Sequence, residues 1–451
     1  MKKKILAATA ILIITIILTS GVIAYNYWFT KPENKNVYVG VAFCGNTIAE
    51  GKQLIDKVKG YTNLFVLQSG LLQRDFDSVN ELGDYAVEAG MSFLPYFGNF
   101  IQDSFSSWLD SAKTRWGDKL LGVYYGDEPG GKMLDDYVQF RDIETGDSIT
   151  KTRYGDVVVQ KPNGVIINYQ FDGAIRLSEP APVNSNSDIN SEKVFYPNGT
   201  VKVVNAAPNG FSYQTYKQLN DSRPFKNTED IAHSFYEREK GTLEFLKNST
   251  AVFTSDYALY WFDYQAGYDV VLGQVGWNVS VGPQLSLLRG AANMQAKDWG
   301  VFITWKYQSP PYLDTGKEIL NQLTTAYECG AKYYVIFDYY EENSGPYGTM
   351  QEEHFQALKT FWREVVENSQ IEWNTVKANV ALVFPQNYGW GMRWAEDKIW
   401  GIFEADQKTR DLWNLTKAAA DEYGLNMDIV YTDVELDASS RYQDLIYWNE
   451  T

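Results

Sequence analysis

Histidine and cysteine are almost missing. The 451 residues hold two of each: His233, His354, Cys44 and Cys329. That scarcity excludes a histidine-rich metal centre and a cysteine-based zinc site, which need three or four such ligands at short spacing. Both histidines fall in segments that read as helices, where each is expected on the helix surface. The cysteines are expected to remain free thiols. Cys44 follows the first strand-like run and Cys329 precedes the last, which puts them at opposite ends of a parallel barrel. Six strand residues span roughly 20 Å, beyond disulfide reach. Basic residues are also outnumbered, 40 Lys and Arg against 57 Asp and Glu, for a formal net charge of −17. A surface of that sign excludes broad nucleic-acid or anionic-lipid binding. The Gly-rich turn Asn387-Tyr388-Gly389-Trp390-Gly391 lacks a phosphate-binding fingerprint, although it can still contact a ligand or reach over the barrel. No cofactor is expected.

Aromatic residues are plentiful: 14 Trp, 32 Tyr and 23 Phe. They supply packing and also flat apolar faces on which sugar rings stack. One long uncharged run is present. Met1-Lys2-Lys3-Lys4 precedes an apolar stretch from Ile5 to Ala24, about the length that crosses a bilayer. The lysines would stay in the cytoplasm and the rest of the chain would lie outside. Val22-Ile23-Ala24 also fits a cleavage site, so residues 1–24 read as a membrane anchor or a cleaved signal peptide. Either sends the protein to the cell surface or the extracellular space. The sequons at Asn198, Asn220, Asn248, Asn278, Asn414 and Asn449 fit a glycoprotein.

After a linker over 25–35, strand-like runs alternate with helical patterns at a spacing of roughly 25 to 30 residues. Val37–Phe43, Leu64–Gln68, Ser92–Phe97 and Leu120–Tyr125 are the first four strands. The rhythm stops after Pro129. Residues 137–225 read as a β-rich insertion, because Asn163-Gly164 and Asn198-Gly199 are hairpin turns between β-rich runs and Asp172-Gly173 adds another. The stretch 184–191 looks flexible. The rhythm resumes with strands Ala251–Ser255, Val270–Gln274, Val301–Trp305 and Tyr333–Phe337, and closes on a helix capped by Thr349 and Glu352. The fold class is therefore α/β: a (β/α)8 TIM barrel built from 36–136 and 226–370, interrupted after strand 4. Residues 371–451 form a smaller flavodoxin- or amidotransferase-like α/β domain.

Barrel catalysts sit at the C-terminal strand tips. Strand 4 ends in Gly126-Asp127-Glu128-Pro129, strand 5 in Asp256, and strand 6 in Gln274 with Trp277 and Asn278 behind it. Strand 7 ends in Trp305 and Lys306, and strand 8 in Asp338 and Tyr339. Trp261 and Asp263 lie in an aromatic segment after strand 5. Glycoside hydrolysis uses one carboxylic acid to protonate the leaving oxygen and a second carboxylate as nucleophile or base. Glu128 is the expected acid, its pKa raised by burial and by Asp127. Asp338 or Asp256 is the expected second carboxylate, with Asp263 a further possibility. Asp127, Trp261, Asp263, Gln274, Trp277, Asn278, Trp305, Lys306 and Tyr339 are expected to contact a carbohydrate, with Tyr307 and Tyr312 as further stacking platforms. Lys306 would lower a nearby carboxylate's pKa, bind a hydroxyl or serve as a Schiff-base lysine.

Asp127-Glu128-Pro129 at the end of strand 4 resembles the Asn-Glu-Pro of the (β/α)8 glycoside hydrolases, whose Glu is the acid/base. An amidotransferase-like domain after the barrel is similar to that of some β-galactosidases of the group. The resemblance implies a glycosidase acting on a polysaccharide or glycoprotein glycan. It also implies a nucleophilic Glu at the end of strand 7, where this chain has Thr304-Trp305-Lys306. Either the second carboxylate has moved to strand 5 or 8, or the barrel binds glycans without cleaving them.

Overall fold

The computed structural model describes residues 37–98, 104–180, 189–205, 216–246, 248–276, 280–339, 345–368 and 370–449. The apolar run at 5–24 and its flanks lie outside them. Among the described residues no helix is long and apolar enough to cross a membrane.

Eight parallel strands close into a barrel. They are β1 (Tyr38–Phe43), β2 (Leu64–Leu67), β3 (Ser92–Gly98), β4 (Val123–Tyr125), β12 (Val252–Asp256), β13 (Val270–Val275), β14 (Asp298–Ile303) and β15 (Tyr333–Phe337), each bonded to the next and β15 to β1. Strands buried on both faces must be apolar almost throughout, as Leu64-Phe65-Val66-Leu67 is. Alternate residues then face inward. Tyr124, Phe253, Val270, Leu272, Phe302 and Val335 fill the interior as one cluster.

Helices α1 (Ile48–Val58), α2 (Phe76–Glu88) and α3 (Phe105–Trp116) follow the first three strands, and the short α4 (Pro129–Asp135) follows β4. The insertion is a seven-stranded antiparallel sheet, β5 (Val138–Arg141) through β11 (Val201–Asn205), in sequential order. The Gly164, Gly173 and Gly199 turns connect successive strands, as expected of these dipeptides. The flexible-looking stretch is in part a strand, because residues 189–191 open β10 (Ile189–Phe195); 184–188 lie outside the described residues. Helices α5 (Tyr216–Asp221) and α6 (Thr228–Leu243) return the chain to β12. The barrel then continues through α7 (Tyr260–Ala266), α8 (Val281–Met294), α9 (Gly316–Glu328) and α10 (Glu352–Trp362). The cap of α10 is Gln351, not Thr349, and His354 accepts its N–H at 2.9 Å. His354 is consequently buried, whereas His233 is exposed on α6. Cys44 and Cys329 are both free.

The C-terminal unit holds three parallel strands in the order β17 (Met427–Tyr431), β16 (Val380–Phe384), β18 (Asp444–Tyr447), with α11 (Gln407–Tyr423). It is seated on α8 of the barrel. There the buried Arg289 donates to Asp428 at 2.7 Å and to the carbonyls of Val376, Leu425 and Met427. The Gly-rich turn at 387–391 is used for packing: a side chain at Gly389 would meet the Trp400 ring at 2.4 Å, and Trp400 donates to the Asn387 carbonyl.

Removing one partner of a buried ion pair costs about 3 to 5 kcal/mol, because the other is left uncompensated. Arg289→Met is expected to lower stability by that amount in urea unfolding. Arg289→Met combined with Asp428→Leu is expected to recover much of it.

Candidate active site

The Gly126-Asp127-Glu128-Pro129 turn leaves β4 through two left-handed residues, Gly126 at φ 70° and Glu128 at φ 55°. Glu128 is not glycine, so this backbone is strained. Pro129 then starts α4 at the first helical position, where a missing N–H costs nothing.

What holds it is the next strand. Glu128 N donates to the Ser255 carbonyl at 2.9 Å. Asp256 accepts the first free amides of α4, Gly130 N at 2.7 Å and Gly131 N at 2.9 Å, and also those of Tyr257 and Ala258. The helix dipole and these amides favour negative charge here, but burial, then the Glu128 charge, outweighs them and pushes Asp256 up to about 8. Only glycine fits at 130, where a Cβ would approach Leu259 Cβ at 2.7 Å and the Ala258 carbonyl at 2.8 Å. The far end of α4 is held as firmly. Lys151, fully buried on β6 (Ser148–Lys151), donates to the Leu134 carbonyl at 2.8 Å and to that of Asp136 at 3.2 Å. Burial pushes its ammonium down to about 8. Arg393, from the segment after β16, bridges Asp135 and Asp397.

The polar side chains at the tips of β4, β12 and β13 form one network. Gln274 Nε2 donates to Glu128 Oε1 at 2.7 Å and to Ser255 Oγ at 3.0 Å. The Ser255 and Tyr124 hydroxyls are 2.7 Å apart, and Tyr124 donates to Asp127 Oδ1 at 2.7 Å. Lys132 donates to the Asp127 carbonyl and lies 3.7 Å from its carboxylate. Burial, then the Asp127 charge, pushes Glu128 up to about 7, against the Gln274 bond and the Lys132 charge. A carboxyl at that value is protonated about half the time near neutrality, as a general acid must be. On the far side, Trp305 and Tyr339 meet with ring centroids 4.4 Å apart beside Phe337, making an aromatic wall at the tips of β14 and β15.

Other expected site residues lie elsewhere. The side-chain period of two explains the two proposed partner carboxylates. Phe253 and Ser255 point into the barrel, so Asp256 points outward, and its oxygens are taken up by four backbone amides. Phe337 likewise packs on the interior cluster, so Asp338 faces out. Asp338 accepts Cys44 N at 2.8 Å and lines a cavity of about 190 Å³ with Phe43, Glu50 and Leu54. Burial raises its pKa, and the neighbouring charge acting on it is Glu50. Asp263 is fully buried behind Asp256, not in a subsite. Trp261 is 2% exposed and packs on Tyr431 of β17, so it offers no platform. Lys306 is paired with Asp314 at 2.6 Å, which raises its pKa and keeps it charged, so it is not a Schiff-base amine. Lys132 supplies the opposing charge beside Glu128 that Lys306 was expected to supply. Tyr307 is exposed beside Lys306. Trp277 and Asn278 lie outside the described residues. Thr304 has the inward phase of Phe302, and its buried hydroxyl has no hydrogen-bond partner.

Tyr124, Ser255 and Lys132 were not anticipated. The alternation of β12 was the available signal for Ser255, since its phase is that of Phe253. Among the described residues no group of three or more His, Cys, Asp or Glu is arranged to hold a metal ion.

No family model matches the chain, and no curated protein matches it in sequence. Solved structures do match. A β-galactosidase from the haloarchaeon Halorubrum lacusprofundi superposes with a TM-score of 0.51 at 11% identity, over 91% of this chain and 68% of that one. A GH5_18 protein from Bifidobacterium longum, in complex with Manb1-4GlcNAc, gives 0.40 at 10% identity over 89% and 90%. A GH5_18 protein from Streptomyces cattleya in complex with GlcNAc gives 0.42 at 9% identity over 92% and 99%. The chain thus has a glycoside hydrolase-like (β/α)8 fold.

Two outcomes test the network. Gln274→Leu removes a donor to the ionised form of Glu128, so the Glu128 midpoint should rise above about 7 in a carbon-13 carboxyl titration. Glu128 also carries a stability cost. Its folded pKa of about 7 exceeds the ordinary value of 4.5, so the folded state binds the proton more tightly. Stability is full below about pH 4.5 and is lost as pH rises through about 7. Glu128→Gln should therefore stabilise the protein by about 3 kcal/mol at pH 8 relative to pH 4, measured by urea unfolding at both pH values.

Proposed function

We propose that the protein is an exported or membrane-anchored glycoside hydrolase that acts on a polysaccharide or glycoprotein glycan, with Glu128 as general acid. The observation that carries this reading is the Glu128 carboxyl itself. It is strained into place at the tip of β4, bonded by Gln274 and held near neutrality by burial and by Asp127. Asp127 is the partly exposed carboxylate in the same network, anchored by Tyr124, and it would stabilise positive charge developing on the sugar ring. Trp305 and Tyr339 would stack on the glycan. The fold shared with the Halorubrum β-galactosidase supports the class of chemistry without naming a sugar. Export rests on the lysine-flanked apolar run at the N-terminus.

A second reading is favoured by one observation: Thr304 follows β14, and among the described residues the tip of that strand carries no carboxylate. A barrel in that state would hold a glycan without cleaving it.

Turnover of oligosaccharides and aryl glycosides by the soluble domain separates the two. Glu128→Gln keeps the shape and the Gln274 contact but removes the proton source. It should cut hydrolysis of substrates with poor leaving groups about 10²- to 10⁴-fold while glycan binding persists. Unchanged hydrolysis would remove the acid role. Binding with no turnover in the unaltered protein would establish the second reading. Protease treatment of intact cells should release the domain, and its survival beside a cytoplasmic marker would count against export.

A further inference from the structure

Two glutamines beside the acid are held by their nitrogen ends. Gln68 follows β2 and keeps the inward phase of Leu64 and Val66, so its amide stands in the barrel mouth. Its Nε2 lies 3.4 Å from the Tyr124 hydroxyl. Tyr124 has one proton, and that proton goes to Asp127. Gln68 must therefore present an N–H to Tyr124 and turn its carbonyl away. Gln73 lies in the helical turn Leu72–Arg74 that follows. Its Nε2 donates to the Gly70 carbonyl at 3.3 Å, and only a nitrogen can make that bond. Gln68 Oε1 and Gln73 Oε1 are both buried, and among the described residues neither has a hydrogen-bond partner.

The two oxygens belong to one corner of the mouth. Gly98, at the tip of β3, has φ 57°. A Cβ there would lie 3.3 Å from the Tyr96 hydroxyl and 3.6 Å from Gln73 Oε1, so glycine keeps open a space that both oxygens border. The Tyr96 and Tyr124 rings meet with centroids 4.8 Å apart, which joins this space to Gln68. Asp127 and Glu128 both act on the Tyr96 hydroxyl. The corner thus adjoins the acid, across the barrel from the wall of Trp305 and Tyr339. A buried acceptor left unpaired is costly. Two of them beside the acid call for a ligand that brings donors. Hydroxyl groups do so and a carboxylate does not. An anionic ring would also meet Asp127 and Glu128, while Lys132 is already engaged by Asp127.

We propose that Gln68 and Gln73 are specificity-determining residues: their free carbonyl oxygens accept hydroxyl protons of the sugar held at Glu128, and the ring they select is a neutral hexose rather than a uronic acid. The inference deepens the glycan reading of this site and rests on it. It is tested without turnover, so loss of hydrolysis alone would strike the acid role and leave this assignment standing.

The probes are the methyl glycosides of glucose, galactose and mannose and of the three matching uronic acids. Saturation-transfer NMR titration of the full chain reads their affinity. At least one neutral glycoside should bind, and its uronate counterpart should bind tenfold or more weakly by about that margin. Gln68→Met and Gln73→Met should each weaken the neutral glycoside about 3- to 10-fold. Each should also raise the melting temperature of the ligand-free protein by about 1 to 2 °C, because an unpaired buried oxygen is gone. The Glu128 midpoint should stay where it is in Gln73→Met, which separates lost binding from a disturbed acid. Equal affinity for hexose and uronate would overturn the proposal, as would binding of none of the six glycosides. Unaltered binding in both methionine variants would overturn it too. So would a lower melting temperature in both, since the oxygens would then be paired in the free protein.

Discussion

The structure turns on a seven-residue helix. α4 is too short to be stable alone, and Glu128 is the residue that caps its start. Both of its ends are therefore held by side chains of the polarity its dipole calls for, a carboxyl at the start and an ammonium at the end. Asp256 of β12 takes the amides at the start, and Lys151 of the insertion takes the carbonyls at the end. Arg393 adds a third tether through Asp135. Three distant parts of the chain thus converge on one turn of backbone, and the strain at Glu128 persists because all three restrain it.

Within that frame the chemistry of the site is a balance at one carboxyl. Burial and Asp127 oppose ionisation of Glu128, while Gln274 and Lys132 favour it. The result lies close to neutrality, where a group can both hold and release a proton. Aromatic faces stand across the opening at Trp305 and Tyr339. Just past the tip of β14, the inward position holds the threonine hydroxyl of Thr304, buried and without a hydrogen-bond partner.

Much of this was legible in the chain. Eight βα units, an Asn-Gly-punctuated insertion and an acid pair before a proline are local patterns, and local patterns survive folding. The acid's raised pKa followed from burial at a strand tip and from the acidic neighbour beside it in sequence. What could not be read were long-range partners. Asp256 and Asp338 stand at strand tips, but only their parity relative to Phe253 and Phe337 shows that they face outward. Nothing in the sequence around Trp261 says that the C-terminal sheet covers it. Lys306 meets Asp314 only because the loop between them folds back. Lys151 was within reach of reasoning, because it shares the inward phase of Ile149 on β6, and a lysine in that phase must find carbonyls or carboxylates to bond.

The fully buried Lys151 has a consequence for how the protein comes apart. Its ammonium reaches the barrel from the insertion, and the Arg393 segment reaches it from beyond β16. The insertion, the barrel and the C-terminal unit consequently share hydrogen bonds that none can make alone. Loss of any one of them frees buried charges in the others. Melting should then be a single cooperative event across the described fold rather than a sequence of domain transitions. The contacts that close it join residues far apart in the chain, a topology that makes folding slow.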